Sequence, residues 1–77
     1  MSNVSIDHEA LGILREKDGY SAAAFSRKAG LSLSYYCRIE SGERSLKRNP
    51  ALIKKFAEIL NVPTSMLERR APGEDAA

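Results

Sequence analysis

Two serine-to-glycine blocks govern what this chain can become. Ser21 to Gly30 and Ser32 to Gly42 each open on a residue that caps a helix and close on a glycine that stops one. Each block has room for about two helical turns. Only Leu31 separates them, so the chain must turn back on itself at Gly30, whose missing Cβ frees the backbone. Neither block can bury its apolar side alone, so the rest of the chain has to supply the core. With 77 residues there is room for one small domain, which buries about 60% of the surface of its unfolded chain.

The remaining punctuation predicts three more helical segments. The first runs from Ile6 to Asp18, with Ser5 as its cap, Asp7 and Glu9 in the first turn and Gly19 as its stop. The second and third are the blocks themselves, Ala22 to Ala29 and Leu33 to Glu40. Phe25 and Ala29, four apart, mark the buried face of the second. In the third, Tyr36, Ile39 and Glu40 are expected inside, and Leu33, Ser34, Cys37, Arg38 and Ser41 outside. Glu43 to Arg48 reads as a polar, basic connection. Asn49 and Pro50 open a fourth helix whose Ile53, Phe56, Ala57 and Leu60 recur three and four apart. A fifth short helix is expected over Thr64 to Arg70, with Ser65 and Glu68 in capping-box spacing. No stretch alternates, and Val, Ile and Thr are sparse, so no strand is predicted. The expected architecture is an all-α, compact five-helix bundle over 6–70, with a flexible N-terminus at 1–5 and a disordered tail at 71–77.

Composition removes several function classes. The single Cys37 leaves no disulfide framework and no multi-cysteine metal site. His8 is a lone histidine without partner ligands. No apolar run approaches the ~20 residues of a membrane span. Met1 to Ser5 lacks the basic start and apolar stretch of a signal peptide, so a cytoplasmic protein with no membrane contact is expected. Paired carboxylates, a nucleophile–base pair and a glycine-rich phosphate loop are all missing, so neither catalysis nor a cofactor is expected.

The spacing from Ser21 to Gly42 is that of a helix-turn-helix, with Ser26 small where the helices cross and Leu31 plugging the turn. The run SAAAFSRKAGLSLSYYCRIESGERS resembles the core of the Cro and phage-repressor type, the XRE family of lambda-repressor-like DNA-binding domains. The resemblance extends from Leu11 to Leu67 and includes the closing Leu60-Asn61-Val62-Pro63. It implies that Leu33, Ser34 and Arg38 contact bases. Arg38 would fork onto a guanine and Leu33 would pack on a thymine methyl. It implies phosphate contacts from Ser21, Tyr35, Ser41, Arg44, Lys47 and Arg48. It also implies a partly buried ion pair between Arg15 and Glu40. The chain departs from the family at Ala22, where a backbone-bracing glutamine is frequent, and at Leu33, where a polar reader is common.

Charge agrees with this placement. The net formal charge is only +2, but residues 21–55 hold eight of the twelve cations and two of the ten carboxylates. The expected partner is therefore double-stranded operator DNA, with no small-molecule effector, in the cytoplasm of a bacterial host. The expected function is a small repressor or Cro-like switch, binding as a homodimer with Val62, Met66 and Leu67 as candidate interface residues. An antitoxin-like protein that neutralises a partner is the alternative, and a restriction–modification controller would have the same size and chemistry.

Overall fold

The computed structural model describes residues 4–70, in the order β1 (Val4–Ile6), α1 (His8–Lys17), α2 (Ala22–Ala29), α3 (Leu33–Glu40), α4 (Pro50–Leu60), a 3₁₀ turn (Thr64–Leu67) and β2 (Glu68–Arg70). Among the described residues the architecture is four α-helices closed by a short ribbon, in place of the five helices expected. The fifth segment winds for one 3₁₀ turn and then extends into β2. Its Ser65–Glu68 capping box does not form, because Glu68 is already in strand conformation (φ −104°, ψ 140°).

That strand pairs antiparallel with β1, Val4 opposite Arg70 and Ile6 opposite Glu68. Val4 and Ser5, expected in a flexible terminus, are therefore held in the ribbon, and Ser5 Oγ donates to the Arg69 carbonyl (3.3 Å). Extended backbone at Ser5 moves the start of α1 to Asp7, whose carboxylate accepts from Ala10 N (3.2 Å). Asp7 also accepts from Arg69 Nη2 at 3.0 Å, tying the cap to β2. The expected tail at 71–77 lies outside the described residues.

The helix-turn-helix follows the punctuation closely. Ser21 Oγ accepts from Ala24 N and Ser32 Oγ from Tyr35 N, at 3.1 and 3.2 Å. Gly30 stops α2 with φ +78°, a conformation that costs a residue with a Cβ strain. Ser26 is buried, and its hydroxyl donates to the Ala23 carbonyl (2.9 Å), so a small polar residue sits inside without a lost hydrogen bond.

One aromatic cluster holds the helices together. Phe25 lies 5.4 Å, centroid to centroid, from both Tyr36 of α3 and Phe56 of α4, and 5.5 Å from Tyr20. Tyr36 and Phe56 meet edge to face at 6.0 Å, a favoured aromatic geometry. Leu11, Ile39 and Leu67 complete the fully buried set around these rings. Leu46 also enters the core, at 7% exposure, with φ +60°. It belongs to the connection read as polar and basic, and it anchors that loop from below. The Ser45 carbonyl beside it accepts from Ile6 N (2.8 Å), so β1 fastens the same loop from the other end of the chain.

Gly12 sits in the interior of α1, where a Cβ would meet Glu40 side-chain atoms at 3.6 Å, an ordinary contact. Gly12→Ala should therefore stabilise the domain by about 0.5–1 kcal/mol through helix propensity, read as a raised midpoint in urea with unchanged slope. Phe25→Ala should cost about 3–5 kcal/mol in the same measurement, because three rings lose a shared neighbour.

Candidate nucleic-acid interface

The platform for the site is a polar triad between α1 and α3. Arg15 Nε donates to Glu40 Oε1 at 2.8 Å and Nη2 to Oε2 at 3.3 Å, a bidentate pair. Tyr36 donates its hydroxyl to Glu40 Oε1 (2.7 Å), and Arg15 Nη1 donates to the Tyr20 carbonyl (2.6 Å). Arg15 is 8% exposed, so this guanidinium is held almost entirely by protein groups. Burial alone would push the Glu40 carboxyl up. The hydrogen bonds from Arg15 and Tyr36 and the Arg15 charge outweigh it and hold the group below its ordinary value. The hydrogen bond to Glu40 likewise raises Arg15, and burial followed by the bond to Glu40 raises the Tyr36 phenol.

A second tie runs from α1 to the C-terminal end of α3. His8 Nδ1 donates to the Glu40 carbonyl (3.1 Å), so His8 is a packed residue and not a free surface histidine. Its ring lies where a Cβ on Gly42 would stand, 2.8 Å from Nε2, and Gly42 itself has φ +92°. The end of α3 thus requires glycine twice over, for conformation and for space.

With its inner side fixed, α3 turns the opposite side outward. Leu33, Ser34, Cys37, Arg38 and Ser41 are all exposed, while Tyr36 and Ile39 are fully buried. Ser41 donates its hydroxyl to the Arg38 carbonyl (3.0 Å). The Arg38 guanidinium points toward Glu43, 3.9 Å away, with both side chains more than half exposed. A pair so open to water is worth little, so Arg38 is free to exchange it for another acceptor.

The connection after α3 forms a shallow basic groove of about 380 Å³, floored by Tyr35 and Leu46 and edged by Arg44, Lys47 and Arg48. Arg44 carries its guanidinium 5.9 Å from the centre of the Tyr35 ring, a cation–π contact that orders both. Ser21 lies exposed at the start of α2 with its hydroxyl already used in capping. The first-turn amides of α2 have no intrahelical partners, so that end favours an anion.

The candidate interface residues at the chain's end behave differently. Val62 is half-buried and Met66 is 49% exposed, but Leu67 is fully buried. Leu67 closes the core beneath the ribbon and is not available to a second copy, which corrects its assignment to a dimer surface. Two contributors were missed in the sequence, His8 and Leu46. A lone histidine gives no periodic signal, and one leucine in a charged loop reads as incidental. Among the described residues no three His, Cys, Asp or Glu side chains are grouped to hold a metal ion. No helix among them is long and apolar enough to cross a membrane.

Breaking one side of the triad should be costly. Arg15→Met leaves the Glu40 carboxylate without its countercharge and should destabilise the domain by about 3 kcal/mol, read by denaturant unfolding. Because the Glu40 carboxyl titrates lower folded than unfolded, its stabilisation is complete above the ordinary carboxylate value and is lost as pH falls through its folded value. Melting curves taken from neutral pH down through the carboxylate range should show a steeper loss in the parent than in Glu40→Gln. Equal slopes in the two proteins would remove Glu40 from the acid transition.

The fold has counterparts among known proteins. A family profile described as a helix-turn-helix domain matches residues 9–69. The crystal structure of the master regulator for biofilm formation SinR, in complex with DNA, is similar with a TM-score of 0.66 and 26% sequence identity. That match covers 77% of this chain and 95% of the SinR chain. A variant of hydroxyethylphosphonate dioxygenase is similar with a TM-score of 0.70 and 30% identity, over 87% of this chain. This chain spans only 14% of that enzyme's length. No curated protein sequence matches significantly. The profile covers well over half of the sequence, and the chain belongs to the helix-turn-helix domain family, of the XRE type.

Proposed function

We propose that the protein is a sequence-specific, double-stranded-DNA-binding transcriptional regulator that reads a major groove with the outer face of α3. The observation that carries this reading is the juxtaposition of that exposed face with the basic groove beside it. Arg38 stands on the face, and Arg44, Lys47 and Arg48 follow within ten residues, all exposed. A helix fits the width of the major groove, and neutralising phosphates on either side supplies the affinity that a few base contacts lack. SinR, which shares the fold over nearly its whole length, was crystallised on DNA.

Each residue then has a defined task. Arg38 offers two parallel donors to the O6 and N7 of a guanine. Leu33 and Ser34, at the start of α3, meet base edges. Tyr35, Ser41 and the first turn of α2 at Ser21 meet one backbone, and Arg44, Lys47 and Arg48 the phosphates beside the loop. Leu46 and β1 fix that loop before DNA arrives, which lowers the entropy lost on binding. A single domain reads few base pairs, so two copies on half-sites about 34 Å apart would give a small repressor its affinity. Val62 and Met66 are the surface proposed to join them.

Similarity to the dioxygenase supports the same module used within a longer chain. It does not support an oxygenase reading here, since only 14% of that chain is matched. An antitoxin-like role remains compatible with DNA binding, and recovery of a stoichiometric protein partner would favour it.

The test is selection of binding sites from random duplexes, followed by titration at several salt concentrations. A palindromic consensus with a steep salt dependence is expected, and equal retention of all sequences would refute the reading. Arg38→Ala should cost about 1–3 kcal/mol and relax the preference at one base pair. Lys47→Ala and Arg48→Ala should weaken all sequences alike, each lowering the salt slope by about one unit.

A further inference from the structure

One carboxylate stands in the basic groove. Between Asp18 and Glu58 the chain holds only two, Glu40 and Glu43. Glu40 is consumed by Arg15 and Tyr36. Glu43 is exposed and lines the groove with Arg44, Lys47 and Arg48. On a surface that attracts phosphates this charge has the wrong sign, and it cancels part of the pull of the cations beside it. Affinity alone would be better served by a neutral residue.

The backbone, not attraction between side chains, sets its position. The Arg38 carbonyl accepts from Glu43 N at 2.9 Å and from Arg44 N at 3.2 Å. The chain thus folds back over the last turn of α3 and carries Glu43 to Arg38. The carboxylate meets the guanidinium on its Nε side, with Nε 3.9 Å from Oε2. A guanidinium is a planar fork of five donors, so an acceptor at Nε leaves the Nη1 and Nη2 end open. Among the described residues no other carboxylate pairs with Arg38. In water so exposed a pair contributes little. Once a duplex covers it, water leaves and the same separation is worth more.

Two ways of meeting DNA treat this pair differently. In a complex held by the backbone alone, Arg38 turns to a phosphate, which must displace Glu43 and lie beside its charge. With Arg38 directed into the groove, Glu43 keeps the Nε side while the open end reaches a base edge. The pair is lost in the first complex and kept in the second.

We propose that Glu43 is a positioning residue that sets specificity. It keeps Arg38 off the phosphate backbone and turns its free end toward base edges, so it weakens binding to unrelated sequence more than binding to the operator. This inference rests on the DNA-binding reading above.

The experiment titrates Glu43→Gln against the selected duplex and a scrambled one at several salt concentrations. An exposed ion pair is worth up to about fivefold in an equilibrium constant. Glu43→Gln should tighten binding to the scrambled duplex by about this factor and leave the selected duplex bound no more tightly. The ratio between the two should fall accordingly. The salt slope on the scrambled duplex should steepen by about one unit, as Arg38 gains a phosphate, with the slope on the selected duplex unchanged. In an Arg38→Ala background the same substitution should leave the scrambled slope as it is. Glu58→Gln makes the same change of net charge outside the groove and should not alter the ratio. Unchanged melting temperatures will show that the variants are folded. Equal tightening on both duplexes would reduce Glu43 to background charge and overturn the proposal, leaving DNA recognition standing. So would a slope change that persists without Arg38, or no change on either duplex. Absence of sequence-selective binding by the parent would remove the DNA reading and this inference with it.

Discussion

The carboxylate of Glu40 is the point on which the rest of this structure turns. It accepts two donors from Arg15 and one from Tyr36, and its own backbone carbonyl takes His8. Through these bonds α1 holds one side of α3 in a single rotational setting. Rotation of α3 would bury its outer face or expose Tyr36 and Ile39, and the triad opposes both. A polar cluster is less stabilising than an apolar one of equal volume, but it is more directional. In a domain with so thin a core, direction is what the presentation of one helix face requires.

Around that fixed helix, the core and the termini divide the remaining work. Phe25, Tyr36 and Phe56 lock α2, α3 and α4 at one aromatic junction. The ribbon then draws both ends of the described chain beneath the loop that carries the basic groove. Leu46, left-handed and buried, joins the loop to the core directly. The cations of the loop thus stand on a backbone that is anchored at several points. Order of this kind, present before binding, converts a charged connection into a surface of defined shape.

Much of the candidate site was legible because its signals are local. Caps at Ser21 and Ser32, the stop at Gly30 and the spacing of Tyr36, Ile39 and Glu40 are set by residues within one or two turns of each other. Arg15 and Glu40 were expected as partners from resemblance alone, since nothing in their spacing brings residues 25 apart together. The strands were not legible. Three residues are too few to alternate, and β1 is held in place by β2, more than sixty residues away. For the same reason Leu67 read as a surface candidate: its burial depends on where the ribbon places it, not on its neighbours in sequence.

The sequence by itself determined the helix-turn-helix, its outward face and the acidic ends around a basic middle, because caps, stops and helical spacing act over a few residues. Tertiary structure decided which leucines close the core, and that His8, Leu46 and the β1–β2 ribbon brace the candidate interface. Those outcomes depend on contacts between distant residues, and only the folded chain brings them together.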